Sequence, residues 1–112
     1  MPAKLACLID ANAYIFRAFF GMPPMHAPDG TPVNATYGFL RTALKVMRER
    51  DPEVVVAAFE SGQSFRNQLY DEYKANRDEP PDDLIPQFDS ARRTAAAVGI
   101  RCLEIDLSLI HI

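Results

Sequence analysis

Cysteine is scarce in this chain: among 112 residues only Cys7 and Cys102 carry thiols. Two cysteines without CxxC spacing make neither a zinc site nor a secreted disulfide framework. They read as buried free thiols of a reducing compartment, which makes the cytoplasm the expected location. No apolar run reaches the ~18 residues that a membrane span needs, and the N-terminus lacks the basic, apolar, small-residue order of a signal peptide. Phosphate-binding glycine loops are missing too, since neither GxGxxG nor GxxxxGK[ST] occurs. A GxSxG nucleophile elbow is also absent. Nor is there an excess of positive charge: 12 Lys and Arg face 15 Asp and Glu, for a formal charge of −3. That balance argues against a nonspecific phosphate binder. It is compatible with carboxylates that hold cations and so reverse the local field.

What is present is a βαβ pattern. Lys4 to Ile9 is a short apolar run and reads as a first strand, ended by Asp10. Asn12 then opens an amphipathic stretch with Tyr14, Ile15, Phe16, Phe19 and Phe20. Residues 21–32, GMPPMHAPDGTP, form a loop with His26 exposed in it. Thr31-Pro32 predicts a helix start. Val33, Tyr37, Leu40, Leu44 and Met47 then mark one helix face. Arg41, Lys45 and Arg48 share another, which is either a solvated polar face or a stripe that tracks phosphates. Asp51-Pro52 ends the helix. Glu53 to Phe59 is apolar throughout, as expected of a strand covered on both faces in a parallel sheet. Phe65 to Leu69 could form one or two helical turns, and Tyr70 to Asp83 is polar and charged. Asp82 or Asp83 is expected to cap a third helix, with Leu84, Phe88, Ala91, Ala95 and Val98 on its buried face and Gly99 as its stop. Arg101 to Ile105 is the third strand. The fold class is α/β, a parallel β-sheet flanked by helices.

Two strands therefore end on acids, Asp10 and Glu60, and ligands in open α/β sheets sit outside the carboxyl ends of strands. Asp10 has a second reading, as the cap of the helix that follows. Asp10-Ala-Asn12 faintly resembles a phosphatase Asp-x-Asp motif, but the second acid is missing. If the strands are neighbours, the two carboxylates offer the hard oxygen ligands that Mg²⁺ prefers. A pair of metals needs more acids than these. Lys74 and Arg77 can steady and grip a phosphoryl group, and Tyr70 and Tyr73 can stack on unpaired bases. The plainer alternatives are surface solvation for the cations and packing against the sheet for the tyrosines.

Three strings carry a family likeness: LIDANAYIFRAFF, NATYGFLRTALKV and VVVAAFESGQSFRNQLYDEYKANR. They resemble the N-terminal 5′ nuclease domain of bacterial DNA polymerase I, a PIN-like, flap-endonuclease-type fold, over about residues 4–106. The resemblance implies a metal-dependent 5′-3′ exonuclease that removes 5′ flaps and RNA primers from DNA, with Mg²⁺ or Mn²⁺ as cofactor. It implies Asp10 as a metal ligand, and Glu60 as another where the family usually has a Phe-Asp pair. It places Lys74 at the scissile phosphate from a helical arch, and assigns substrate contacts to Arg77, Arg66 and Tyr73. The family continues after the third strand with an acidic cluster and a helix-hairpin-helix, then with further nuclease and polymerase domains. Here residues 107–112 depart from that pattern. The expectation is therefore residues 1–106 as the N-terminal part of a 5′-3′ exonuclease domain, incomplete at its C-terminus and inactive alone, with 107–112 a non-matching tail. The alternatives are a noncatalytic module that binds single strands, and an inactive remnant.

Overall fold

In the computed structural model the described residues are 5–61, 67, 69–71 and 81–106. Three strands, β1 (Ala6–Asp10), β2 (Val54–Ser61) and β3 (Arg101–Asp106), form one sheet in the order β1-β2-β3. Both pairings are parallel, with Asp10 opposite Ala58, and Glu60 opposite Ile105. Among the described residues, helices α1 (Ala11–Gly21), α2 (Asn34–Arg50) and α3 (Ile85–Ala97) connect the strands. The α/β class and the parallel sheet expected from the sequence are thus observed.

The helices pack on one sheet face. Ile9, Val55, Ala57 and Phe59 alternate along their strands and meet Ile15, Phe39, Ala91 and Ala95 in a single buried cluster. Phe39 sets its ring edge against Phe59, with centroids 5.9 Å apart. The sequence predicted cover on both faces of β2. Among the described residues the opposite face carries no helix, and Leu8 and Leu103 are 75% and 51% exposed there.

The helix that follows the proline-rich loop begins later than Thr31-Pro32 predicts. The Thr31 N–H and carbonyl are used by Asp29 and Ala27, and Pro32 bridges to His26, which folds the segment back as a loop. Hydrogen bonds from the Thr31 hydroxyl and N–H hold the Asp29 carboxyl below the usual carboxylate range. α2 starts at Asn34, and its first turn is satisfied from α3 instead. The Gln87 Oε1 accepts from the Thr36 N–H at 3.0 Å, and its Nε2 donates to the Asn34 Oδ1 at 2.9 Å. Gln87 is only 1% exposed.

Two helix faces also differ from expectation. Tyr37 and Leu44 are exposed, and α2 instead buries Ala35, Gly38, Phe39 and Ala43. Small residues win because α1 lies close: a Cβ at Gly38 would stand 2.7 Å from the Ala18 Cβ. In α3, Val98 is exposed beyond the last turn. Neither Asp82 nor Asp83 caps α3 with its side chain; Leu84 occupies that position, and the Asp83 carbonyl accepts from Gln87. Gly99, with φ at +93°, ends the helix as the sequence predicts.

Candidate active site

β1 stops at Asp10 because the chain turns there into α1. The Asp10 Oδ1 accepts from the Ala13 N–H at 3.3 Å, so the aspartate is the helix cap. The capping reading is correct, and it leaves the site reading intact. A carboxylate at a helix N-terminus is stabilised by the free N–H groups and dipole of the first turn. Capping uses one oxygen, and the other has no protein partner among the described residues. The side chain is exposed.

β2 runs three residues further than Ala58, the register partner of Asp10, through Glu60 to Ser61. Alternation along each strand places Asp10, Ala58 and Glu60 on one face, opposite the buried Ile9, Ala57 and Phe59. Strand spacing and rise put the two acidic Cα atoms about 8 Å apart. Both stand at the carboxyl-end rim, where open α/β sheets bind ligands. Leu103, beside Ala58, and Ile105, beside Glu60, line the apolar side of that rim.

The backbone of Glu60 is held from α1. Its N–H donates to the Asn12 Oδ1, and its carbonyl accepts from the Asn12 Nδ2, each at 3.2 Å. Asn12 is 4% exposed, within the first turn of α1. Sequence reasoning gave Asn12 no part in the site. The available signal was a poor helix former two residues after a strand-ending acid.

Two other acids are engaged elsewhere. Glu104 and Asp89 pair with Arg92 on the helix-covered side of the sheet. Among the described residues no group of three or more His, Cys, Asp or Glu side chains is placed to hold a metal ion. Asp10 and Glu60 thus stand as a pair of carboxylates at the rim. Their hard oxygens, with room for water around an exposed Asp10, fit the donor preference of Mg²⁺ or Mn²⁺. Asp106 ends β3 in register with Ser61, at the same rim.

Of the expected substrate residues, Tyr70 lies in a helical stretch and is 53% exposed, so its ring is not core packing; neighbouring Leu69 is buried. Arg66, Tyr73, Lys74 and Arg77 fall outside the described residues. Arg41, Lys45 and Arg48 are exposed on α2. α2 starts beside the first turn of α3, and Glu53 just past its end donates to the Leu5 carbonyl at the start of β1. The stripe therefore runs toward the rim opposite the acids. Cys7 and Cys102 are free thiols on β1 and β3, with β2 between them. Burial pushes the Cys102 thiol up. No described helix is long and apolar enough to cross a membrane.

Comparison with known proteins gives the chain's relatives. Residues 5–107 match the family model described as 5′-3′ exonuclease, N-terminal resolvase-like domain. A DNA polymerase I of Rhizobium leguminosarum is 38% identical over 108 residues, covering 88% of this chain and 11% of that protein. A DNA polymerase I of Geobacillus stearothermophilus is 36% identical over 107 residues, covering 95% and 12%. A 5′-3′ exonuclease of Bacillus subtilis is 41% identical over 98 residues, covering 83% and 33%. The chain thus spans between about a tenth and a third of the length of these relatives.

Proposed function

The chain belongs to the 5′-3′ exonuclease N-terminal resolvase-like domain family, and from that membership we propose that it is the acid-bearing part of a metal-dependent nuclease. Its substrate is DNA with a 5′ flap or an RNA primer, processed during replication and repair. The nuclease portion is residues 1–106, with 107–112 outside it, and further nuclease and polymerase domains accompany it as in the longer relatives. It works in the cytoplasm, in keeping with its free thiols.

One observation supports this reading most. Asp10 and Glu60, 50 positions apart in sequence, stand on adjacent parallel strands at one rim and on one face. The reaction is hydrolysis of a phosphodiester: water attacks phosphorus in line, and the bond to the departing nucleotide oxygen breaks. Asp10 and Glu60 would hold Mg²⁺ or Mn²⁺, which supplies positive charge against the phosphoryl oxygens when bound. Asp10 presents the oxygen that capping leaves free, and Glu60 stands on the same face, two residues beyond the register partner of Asp10 on β2. Lys74 and Arg77 offset charge on the phosphate. Arg66, Tyr70 and Tyr73 hold the displaced strand, the exposed ring of Tyr70 offering a stacking surface.

Two carboxylates are too few for the two ions that such hydrolysis uses, so this chain alone is expected to show no turnover on a 5′-flap substrate with Mg²⁺. Activity is tested by grafting residues 5–106 in place of the matching third of the Bacillus subtilis 5′-3′ exonuclease. The chimera should cleave 5′-flap DNA and lose cleavage with Asp10→Asn or Glu60→Gln. A chimera whose cleavage survives both substitutions would refute the assignment, as would robust Asp10-dependent cleavage by the 112-residue chain for its expected inactivity. Lys74→Ala separates the nuclease from a module that only binds single strands. It lowers the chimera's rate in the first case and its affinity in the second.

A further inference from the structure

We propose that Asn12 is a positioning residue: its side-chain carboxamide acts as a surrogate peptide group that extends the β1–β2 ladder to Glu60 and fixes that acid relative to Asp10. This rests on the reading of Asp10 and Glu60 as a cation-holding pair.

The register carries the inference. Asp10 pairs with Ala58, so a β1 extended by two residues would set position 12 opposite Glu60. The chain does not extend; it turns into α1 at Ala11. That turn is needed to make Asp10 a helix cap, and it leaves the next peptide edge of β2 without a strand. A half-buried N–H and C=O without partners would be costly. The Asn12 carboxamide presents one acceptor to the Glu60 N–H and one donor to its C=O, each at 3.2 Å. These are the two groups that a continuing strand would have offered.

The choice of side chain follows from this. Serine or threonine has a single oxygen, an aspartate has no donor, and an apolar residue has neither. Glutamine has the right groups one methylene too far along. The contact on both groups of one residue also fixes the amide's orientation, since an exchanged O and N would set donor against donor. α1 is thereby tied to the site twice at its start: Asp10 supplies its cap, and Asn12 holds the strand that carries the partner acid. Groups that orient ligands in this way are commonly worth 10–100-fold in metal affinity.

The test compares Asn12→Ala with Ile15→Val, which trims the buried core of the same helix without touching the clamp. Amide exchange followed by NMR reads the clamp directly. Asn12→Ala should speed exchange of the Glu60 N–H on the order of tenfold beyond any change at Val56 and Ala58, whereas Ile15→Val should leave that ratio unchanged. Titration with Mn²⁺, read by the loss of its free-ion magnetic resonance signal, should show affinity at least about tenfold weaker in Asn12→Ala and unaltered in Ile15→Val. Unchanged Glu60 exchange, or Mn²⁺ affinity equal to the parent in Asn12→Ala while Asp10→Asn abolishes it, would overturn the proposal and leave the carboxylate pair standing. A parent chain that binds no Mn²⁺ would instead remove the pair, and the exchange ratio would then decide the clamp alone.

Discussion

Asp10 has two tasks, and they respond differently to substitution. Asparagine caps helices about as well as aspartate, so Asp10→Asn should leave the melting temperature nearly unchanged while removing the charge a cation needs. Asp10→Ala should lose about 1 kcal/mol of stability as well, measured by urea unfolding. Cys102 offers a separate check. Desolvation raises its thiol above the ordinary cysteine range, with Arg92 pulling down and Glu104 pushing up by less. Folding therefore favours the protonated form, and this contribution to stability is present below the unfolded thiol's range and lost as pH climbs through the raised value. Iodoacetamide at pH 8.5 should alkylate Cys102 more slowly in the folded chain than in urea, as read by peptide mass spectrometry. At this scale Asp10 and Glu60 were legible because each follows an apolar run. Asn12 was not, because a carboxamide standing in for a peptide is visible only once the register of two distant strands is known.

At the scale of elements, the order of strands and helices could be read from hydrophobic runs and breakers, whereas the faces of α2 could not. Periodicity favoured the bulky Val33, Tyr37, Leu40, Leu44 and Met47, but close packing against α1 selected Ala35, Gly38 and Ala43. Gly38→Ala should cost about 1–3 kcal/mol by overpacking. Adding Ala18→Gly should recover part of the loss, since the added Cβ meets Ala18. The start of α2 was misplaced for a related reason: its cap is Gln87, 51 positions away from Thr36. Gln87→Leu keeps the volume and strands the Thr36 N–H and Asn34 Oδ1, so a loss of about 2–4 kcal/mol is expected in chemical denaturation. Gln87→Glu retains the acceptor for Thr36 and should cost less.

At the scale of the whole molecule, the described helices cover one face and leave Leu8 and Leu103 on the other. The unbroken apolar run of β2 predicted cover on both sides, and a strand can be apolar on a face that its own helices do not reach. The isolated chain should therefore associate as its concentration rises. Leu8→Lys with Leu103→Lys should shift sedimentation toward the monomer without a loss of stability. The same sheet brings Asp10 and Glu60 to one rim, and on that convergence the nuclease assignment depends. Calorimetric titration of the chain with Mn²⁺ tests it most directly, through the parent, Asp10→Asn, Glu60→Gln and the double variant. Each single substitution should weaken binding at least about tenfold, and the double should be little worse than the weaker single, because both acids serve one ion. Binding by Glu60→Gln as tight as the parent's would contradict the account.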